Sequence, residues 1–558
     1  MAGLTWETGR TFILLAAGRF DAPSDRYFTM WSRHASHAVK YTAPPPAHST
    51  TQLMNAYRFF SRDFAQRADA VFLEDGTTRY TYADLERETA RYANFYASLD
   101  LPPGERVAGQ IEKSPQALFM YLGALRAGLA YLPLNTAYRQ GELAYFLGDA
   151  EPRVVVCDPA SEEAFRQLTA GMKGVQLFTL DENGRGTLHD RVHAMADAAP
   201  GGNATFATVA RATDDLAVIL YTSGTTGRSK GAMVTHGNLT ANAATLVEHW
   251  RITDRDVLIH ALPMFHIHGL FVAIHTILLA GAKILLHKKL YPKALITDLP
   301  RATLLMGVPT FYVRLLGETG FTKDVCRNMR LFISGSAPLL LETFTAFQER
   351  TGHTILERYG MSESGMITSN PYEGERRGGT VGMPLPGVEL RVAGPNLKPM
   401  PFDMPGDIQI RGPNVFKGYW RMPEKTKEEF TEDGWFRTGD IGTWTYGGWI
   451  SIVGRAKDLI ISGGYNVYPK EIELLIDDLP GVVESAVIGV PHTDFGEAVV
   501  AVIVPEKGTL LKEAEVIGYV KSQLANYKVP KRVHFVDDLP RNTMGKVQKN
   551  VLREQYKS

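Results

Sequence analysis

Tyr221-Thr222-Ser223-Gly224-Thr225-Thr226-Gly227-Arg228-Ser229-Lys230-Gly231 is the stretch on which the reading turns. It comes after an apolar run, Ala217-Val218-Ile219-Leu220, and precedes another, Ala232-Met233-Val234. After the opening tyrosine it holds only glycine, hydroxyl side chains and two cations. Glycine permits tight turns and close backbone approach. The hydroxyls of Thr222, Ser223, Thr225 and Thr226, the free N–H groups, Arg228 and Lys230 together make a concave anion site suited to phosphate. A kinase-type P-loop needs a second glycine, then Lys and Ser/Thr, at fixed spacing and at the start of a helix. Here Ser229 stands where that glycine is required, and Ala232-Met233-Val234 reads as a strand. This is a phosphate loop of another kind.

The surroundings are α/β. Arg153 to Cys157, Ala217 to Tyr221 and Lys283 to Leu286 are apolar runs bounded by turn residues, which suits strands buried on both faces. Gly269 to Leu286 contains His275 and Lys283 and is too short and too polar for a membrane span, so it reads as a buried helix and a core strand. After Arg391 the pattern becomes alternating, as in Gly406 to Gly412, and predicts half-exposed antiparallel strands. A Gly- and charge-rich joint comes next, at Gly454 to Gly464. Beyond it the pattern predicts helices over Glu471 to Asp478 and Glu513 to Leu524. Strands are predicted over Glu484 to Val490, Val499 to Val504 and Arg532 to Val536. The predicted architecture is α/β: a large domain of stacked sheets with a β-rich subdomain, residues 54–455, hinged to a small mobile α+β domain, residues 456–558. Residues 1–53 read as an extension. They are a targeting segment, a lineage-specific extension or a mis-called start. Glu7, Asp21 and Asp25 favour the last two, since transit peptides are poor in acids.

Composition narrows the class further. The 558 residues exceed one core, and 44% hydrophobic with 22% charged excludes a disordered or fibrous chain. Lys+Arg and Asp+Glu both total 60, so no global field recruits nucleic acid or anionic membrane, and small-molecule substrates are the expected partners. Cys157 and Cys326 are the only cysteines, which points to a reducing compartment. The expected location is cytoplasmic, or mitochondrial or plastid if residues 1–53 target the chain. The oligomeric expectation is a monomer or homodimer.

More blocks lie beyond the loop, in order: Tyr359-Gly360-Met361-Ser362-Glu363, Thr438-Gly439-Asp440, Gly454-Arg455-Ala456-Lys457-Asp458, and Pro540 to Lys546. With the loop, these resemble the adenylate-forming superfamily of acyl-CoA synthetases, luciferases and peptide-synthetase adenylation domains, from Met54 to the end. The resemblance implies ATP, Mg²⁺ and coenzyme A as co-substrates and metal. It assigns ATP to Thr222, Ser223, Gly224, Thr225, Gly227, Lys230, Tyr359, Gly360, Met361, Ser362, Asp440 and Arg455. Glu363, a hard oxygen ligand, and Thr226 would hold Mg²⁺. Asp440 would accept the ribose hydroxyls, as acidic residues do in other nucleotide sites. Lys546 would stabilise charge building on the α-phosphate. Lys457 sits at the matching hinge position, and Ser462, Gly463 and Gly464 would line the pantetheine path. His266 matches an aromatic gate; with His268 it forms a His-x-His pair that lacks a third zinc ligand nearby.

Arg301 to Tyr312, Gly412 to Trp420, Gly463 to Glu473 and Val482 to Glu497 are similar to malonyl-CoA synthetases. That resemblance implies malonate, whose second carboxylate must be paired if buried. The candidate cations are Arg228, Lys289 and Arg301, with Met306 and Met366 crowding the pocket. The chain departs from that subfamily at Gly365-Met366-Ile367 and at Ile267, where the wall is greasier. Methylmalonate or another short-chain acid is the alternative. A luciferase-like oxidase would share the ATP motifs, and thioester formation without oxygen uptake separates the two. A peptide-synthetase module would call for a carrier domain, and a non-catalytic nucleotide binder would be expected to have lost Glu363 or Lys546.

Overall fold

The computed structural model describes residues 53–222, 229–445, 447–462, 465–492, 496–542 and 545–557. The extension expected over 1–53 therefore falls outside the described residues but for its last one.

The large domain rests on two mostly parallel sheets. One has six strands in the order Gln176–Thr179, Val154–Cys157, Arg106–Gln110, Ala130–Pro133, Leu216–Thr222 and Lys230–Thr235, the last antiparallel. The other has nine and is parallel from Leu356–Met361 through Leu331–Ser334, Leu304–Gly307, Val257–His260 and Lys283–Leu286 to Val71–Asp75. Val154–Cys157, Leu304–Gly307 and Leu331–Ser334 are buried along their whole length, which is why they read as unbroken apolar runs. Helices cover these sheets and start where the sequence caps them. Thr81 and Asp84 form a reciprocal capping box for Tyr82–Ala97, and Thr235 with Asn238 does the same for His236–His249.

A four-stranded antiparallel sheet comes next, Glu389–Ala393, Gly406–Arg411, Phe436–Trp444 and Ile450–Arg455. Its expected alternation is broken at Gln409, which is buried, because Arg391 donates to Gln409 Oε1 at 2.8 Å and covers it. The small C-terminal domain carries Val482–His492 and Gly496–Pro505 antiparallel, with Arg532–Phe535 parallel to the latter. Its helices are Pro469–Asp477, Glu513–Gln523 and Lys549–Gln555. Its apolar clusters, from Ile460 to Leu552, share no member with those spanning Ala56 to Ile450. Among the described residues no helix is long and apolar enough to cross a membrane. The stretch Gly269 to Leu286 is helix and core strand as expected, with one difference: His268–Ile274 is a wide π-turn that leads into His275–Ala280.

Candidate active site

Ser223, Gly224, Thr225, Thr226, Gly227 and Arg228 of the phosphate loop lie outside the described residues, as do Gly463 and Gly464. The two ends of the loop are on view. Thr222 and Lys230 face each other across antiparallel strands. Thr222 Oγ1 donates to Glu363 Oε1 at 3.3 Å, and the Tyr419 hydroxyl donates to the same oxygen at 3.2 Å. Both bonds fall on Oε1, so Oε2 is the oxygen they leave for another ligand. Burial pushes the Glu363 carboxyl up from its ordinary value. Such a buried hard oxygen beside the phosphate loop fits a magnesium ligand. Lys230 is buried, lies 4.3 Å above the Tyr419 ring and pairs with Glu429 at 3.1 Å.

Leu356–Met361 and Phe436–Trp444 meet where the nucleotide is expected. The Tyr359 hydroxyl donates to Asp440 Oδ2 at 2.5 Å, and Arg455 Nε lies 3.0 Å from Asp440 Oδ1. Asp440 and Arg455 are register partners in adjacent strands, so the pairing is set by the sheet. Each carboxylate oxygen has a second lone pair, which leaves acceptor sites for a ribose diol. Gly360 is required: a Cβ there would sit 2.3 Å from Gly365 O and 2.5 Å from Met366 Cε. Met361 pairs with Gly365 in register, and Ser362 to Ser364 form the turn between the two strands.

Lys546 comes from the small domain to this meeting point. A Cβ on Gly545 would lie 3.8 Å from Thr310 Cγ2 of the large domain. Burial and then the charge of Arg455 push the Lys546 ammonium down to about 8, and Asp440 and Glu363 oppose this. Burial, then Lys546, then Arg358, push His266 down to about 3, so its imidazole is neutral. His266 Nδ1 accepts from the His268 backbone at 3.2 Å. The site residues Tyr359, Asp440, Arg455, Glu363, His266 and Lys546 are thus brought together. Lys457 is exposed in the short turn Ala456–Asp458, and Ser462 is buried in its strand.

Two expected substrate cations do not join them. Arg301 spends its guanidinium on Glu74 at 2.7 Å and Asp298 at 2.8 Å. Lys289 is exposed, 5.3 Å from the Tyr291 ring. Their charge alone suggested both as partners for a second carboxylate; Glu74 and Asp298 claim the first, and the second is exposed beside Tyr291. Met306 lies inside its strand, opposite Ile333, and Met366 packs on Gly360. Ile267 lines a small cavity with Phe271, Leu239, Asn242, Ser362 and Gly365.

Sequence reasoning passed over Arg358. It is 2% exposed, and Nε and Nη2 have no hydrogen-bond partner among the described residues. Burial pushes it down to about 9, an unusual state for arginine. Its guanidinium packs on Gly335, where a Cβ would meet Cζ at 2.5 Å. Its charge acts on both His266 and His268, and His268 Nδ1 lies 3.4 Å from Ser336 Oγ. A signal was available: Glu357-Arg358 interrupts an apolar strand beside the Tyr359 block.

Residues 60–420 match the AMP-binding enzyme family, and residues 471–546 match the AMP-binding enzyme C-terminal domain. ATP-bound MatB from Rhodopseudomonas palustris superposes with a TM-score of 0.86 at 53% identity, covering 90% of this chain and 99% of that one. The mitochondrial malonate–CoA ligase of Mus musculus is 34% identical over 566 residues, 94% of each chain. A feruloyl-CoA synthase of Amycolatopsis is also 34% identical, over 492 residues, 87% of this chain and 96% of the relative.

Proposed function

The chain belongs to the AMP-binding enzyme family and is an AMP-forming acid–CoA ligase that binds ATP, and on that premise we propose that its acid is malonate. The observation that carries the reading is Arg358, a buried guanidinium beside His266 whose Nε and Nη2 have no partner among the described residues. Leaving such a charge unpaired is costly, and a second carboxylate on the acid would satisfy it. Similarity to malonate–CoA ligases supports the same reading, whereas similarity to a feruloyl-CoA synthase leaves the acid open to test.

The reaction has two parts. A carboxylate is a poor acyl donor because its oxygen leaves badly. Attack of that oxygen on the α-phosphate of ATP makes malonyl-AMP and expels pyrophosphate. Lys546 stabilises the charge that builds on the α-phosphate. Mg²⁺, held by Glu363 and Thr226 with the phosphates, would neutralise phosphate charge. Tyr359, Asp440 and Arg455 hold the nucleoside. Neutral His266 shields the acyl group from water without adding a charge. The coenzyme A thiol then attacks the acyl carbon, forms the thioester and releases AMP. For that step residues 456–558 rotate about Lys457 relative to 54–455, withdrawing Lys546 and bringing Ser462, Gly463 and Gly464 to the pantetheine. Arg228 would serve the phosphates.

Methylmalonate is a second reading, favoured by the apolar Ile267 in the small cavity. The test is AMP release with ATP, Mg²⁺ and coenzyme A across malonate, methylmalonate, succinate, acetate and butyrate. Malonate leading supports the proposal. Acetate or butyrate leading keeps the ligase and overturns the dicarboxylate reading.

A further inference from the structure

Lys113 is a buried lysine in the segment between Arg106–Gln110 and Pro115–Arg126. Among the described residues it forms no ion pair, and Asp75 is the carboxylate whose charge acts on it. Its ammonium has three protons and finds three acceptors: His260 Nδ1 at 3.0 Å, His260 O at 3.2 Å and His287 O at 2.8 Å. Burying an ammonium against neutral acceptors alone is expensive, so the position asks for a reason.

The reason lies on the other side of His260. Its Nε2 is 2.8 Å from Gly269 O, an obligate acceptor, so Nε2 carries the proton and Nδ1 presents its lone pair to Lys113. The chain of bonds thus runs in one direction, from Lys113 to His260 to the Gly269 carbonyl. Gly269 lies close against the Pro263 carbonyl and admits no side chain: a Cβ there would sit 2.0 Å from Pro263 O. The turn between Pro263 and Gly269 is closed by Leu270 N to His266 O at 2.9 Å and by His268 N to His266 Nδ1 at 3.2 Å. That turn carries His266 and Ile267 and opens the π-turn His268–Ile274. π-turns are rare and recur at functional sites. The bond from His260 anchors this turn at the Gly269 carbonyl, next to the segment that carries His266 and Ile267.

We propose that Lys113 is a positioning residue for the acid pocket, acting through His260 on the Gly269 carbonyl to hold the turn that presents His266 and Ile267. The inference rests on the reading that the acid binds between His266 and Arg358. None of the relay's hydrogen bonds involves Tyr359, Asp440 or Arg455, the residues proposed to hold the nucleoside, so the relay should act on the acid and spare the nucleotide.

Two variants test it. Lys113→Met removes the ammonium and keeps the apolar stem. His260→Gln keeps a donor near the Nε2 position and loses the Nδ1 acceptor. With malonate and ATP varied in turn, Lys113→Met should raise the KM for malonate about tenfold, the scale of one hydrogen bond to a charged group, and leave the KM for ATP within about twofold. His260→Gln should shift the malonate KM in the same direction by less. The double variant should be no worse than Lys113→Met alone, because both substitutions break one relay. Equal rises in the two KM values, an unchanged malonate KM in folded Lys113→Met, or additive effects would overturn the proposal. Should Lys113→Met fail to fold, His260→Gln decides by the same KM split. The comparison can be read with whichever acid the wild-type enzyme turns over best. A preference for butyrate would thus overturn the dicarboxylate reading without touching the relay.

Discussion

Arg358→Leu is the perturbation that bears hardest on the acid. The side chain is 2% exposed, so a carboxylate paired with it would be withdrawn from water. Removing one partner of a buried ion pair leaves the other charge uncompensated, at a cost of about 3–5 kcal/mol. At about 1.4 kcal/mol per decade, kcat/KM for malonate should fall by roughly two to three and a half decades. Butyrate has no second carboxylate and gains nothing from Arg358. Its kcat/KM should change by less than about threefold, since it loses no ion pair and feels only the altered packing against Gly335 and the missing charge near His266 and Lys546. The assay is AMP release at limiting acid and saturating ATP and coenzyme A, with thermal melting to confirm a folded variant. A ratio of malonate to butyrate that stays constant, both falling together, would show that Arg358 supports the fold and does not read the substrate.

The same geometry sets other outcomes. Lys546→Ala should nearly abolish acid-dependent ATP–pyrophosphate exchange yet still convert supplied malonyl-AMP to thioester; equal loss of both half-reactions would count against the two-pose mechanism. The free enzyme's Lys546 titrates near pH 8, below its unfolded value, so its charge is complete below that pH and is lost above it. Hence kcat/KM for ATP should decline as pH rises through about 8, and Lys546→Arg should remove that decline. Glu429→Gln frees Lys230 from its 3.1 Å ion pair and should lower the KM for ATP by about two- to fivefold, read by the same assay at varied ATP. Gly360→Ala places a Cβ 2.3 Å from the Gly365 carbonyl and should cost both melting temperature and ATP affinity.

Much of the fold was legible because both faces of the parallel sheets are buried. Val154–Cys157 and Lys283–Leu286 can only be apolar runs there, and they announce themselves. The small domain was equally plain: the strand expected over Val499 to Val504 lies inside Gly496–Pro505, and the helix over Glu471 to Asp478 nearly coincides with Pro469–Asp477. The blocks that hold Tyr359, Asp440 and Arg455 were legible as short ordered motifs, and the structure brings these three side chains together. The acid pocket was not. Arg301 looked available until Glu74, 227 residues away, claimed its guanidinium. Arg358 drew no reading from the sequence, and it is packing that buries it with Nε and Nη2 unpartnered among the described residues. Lys113 has no local signal at all, since its acceptors belong to His260 and His287. Which charges are spent and which are free is settled by contacts distant in sequence, and no local pattern encodes that.

The substrate proposed for this ligase is a short dicarboxylic acid, malonate. One competition reaction decides it: ATP, Mg²⁺ and coenzyme A with equimolar malonate, acetate, butyrate and ferulate, the thioesters separated by mass. Malonyl-CoA should dominate. Butyryl-CoA or feruloyl-CoA as the main product would refute the malonate assignment.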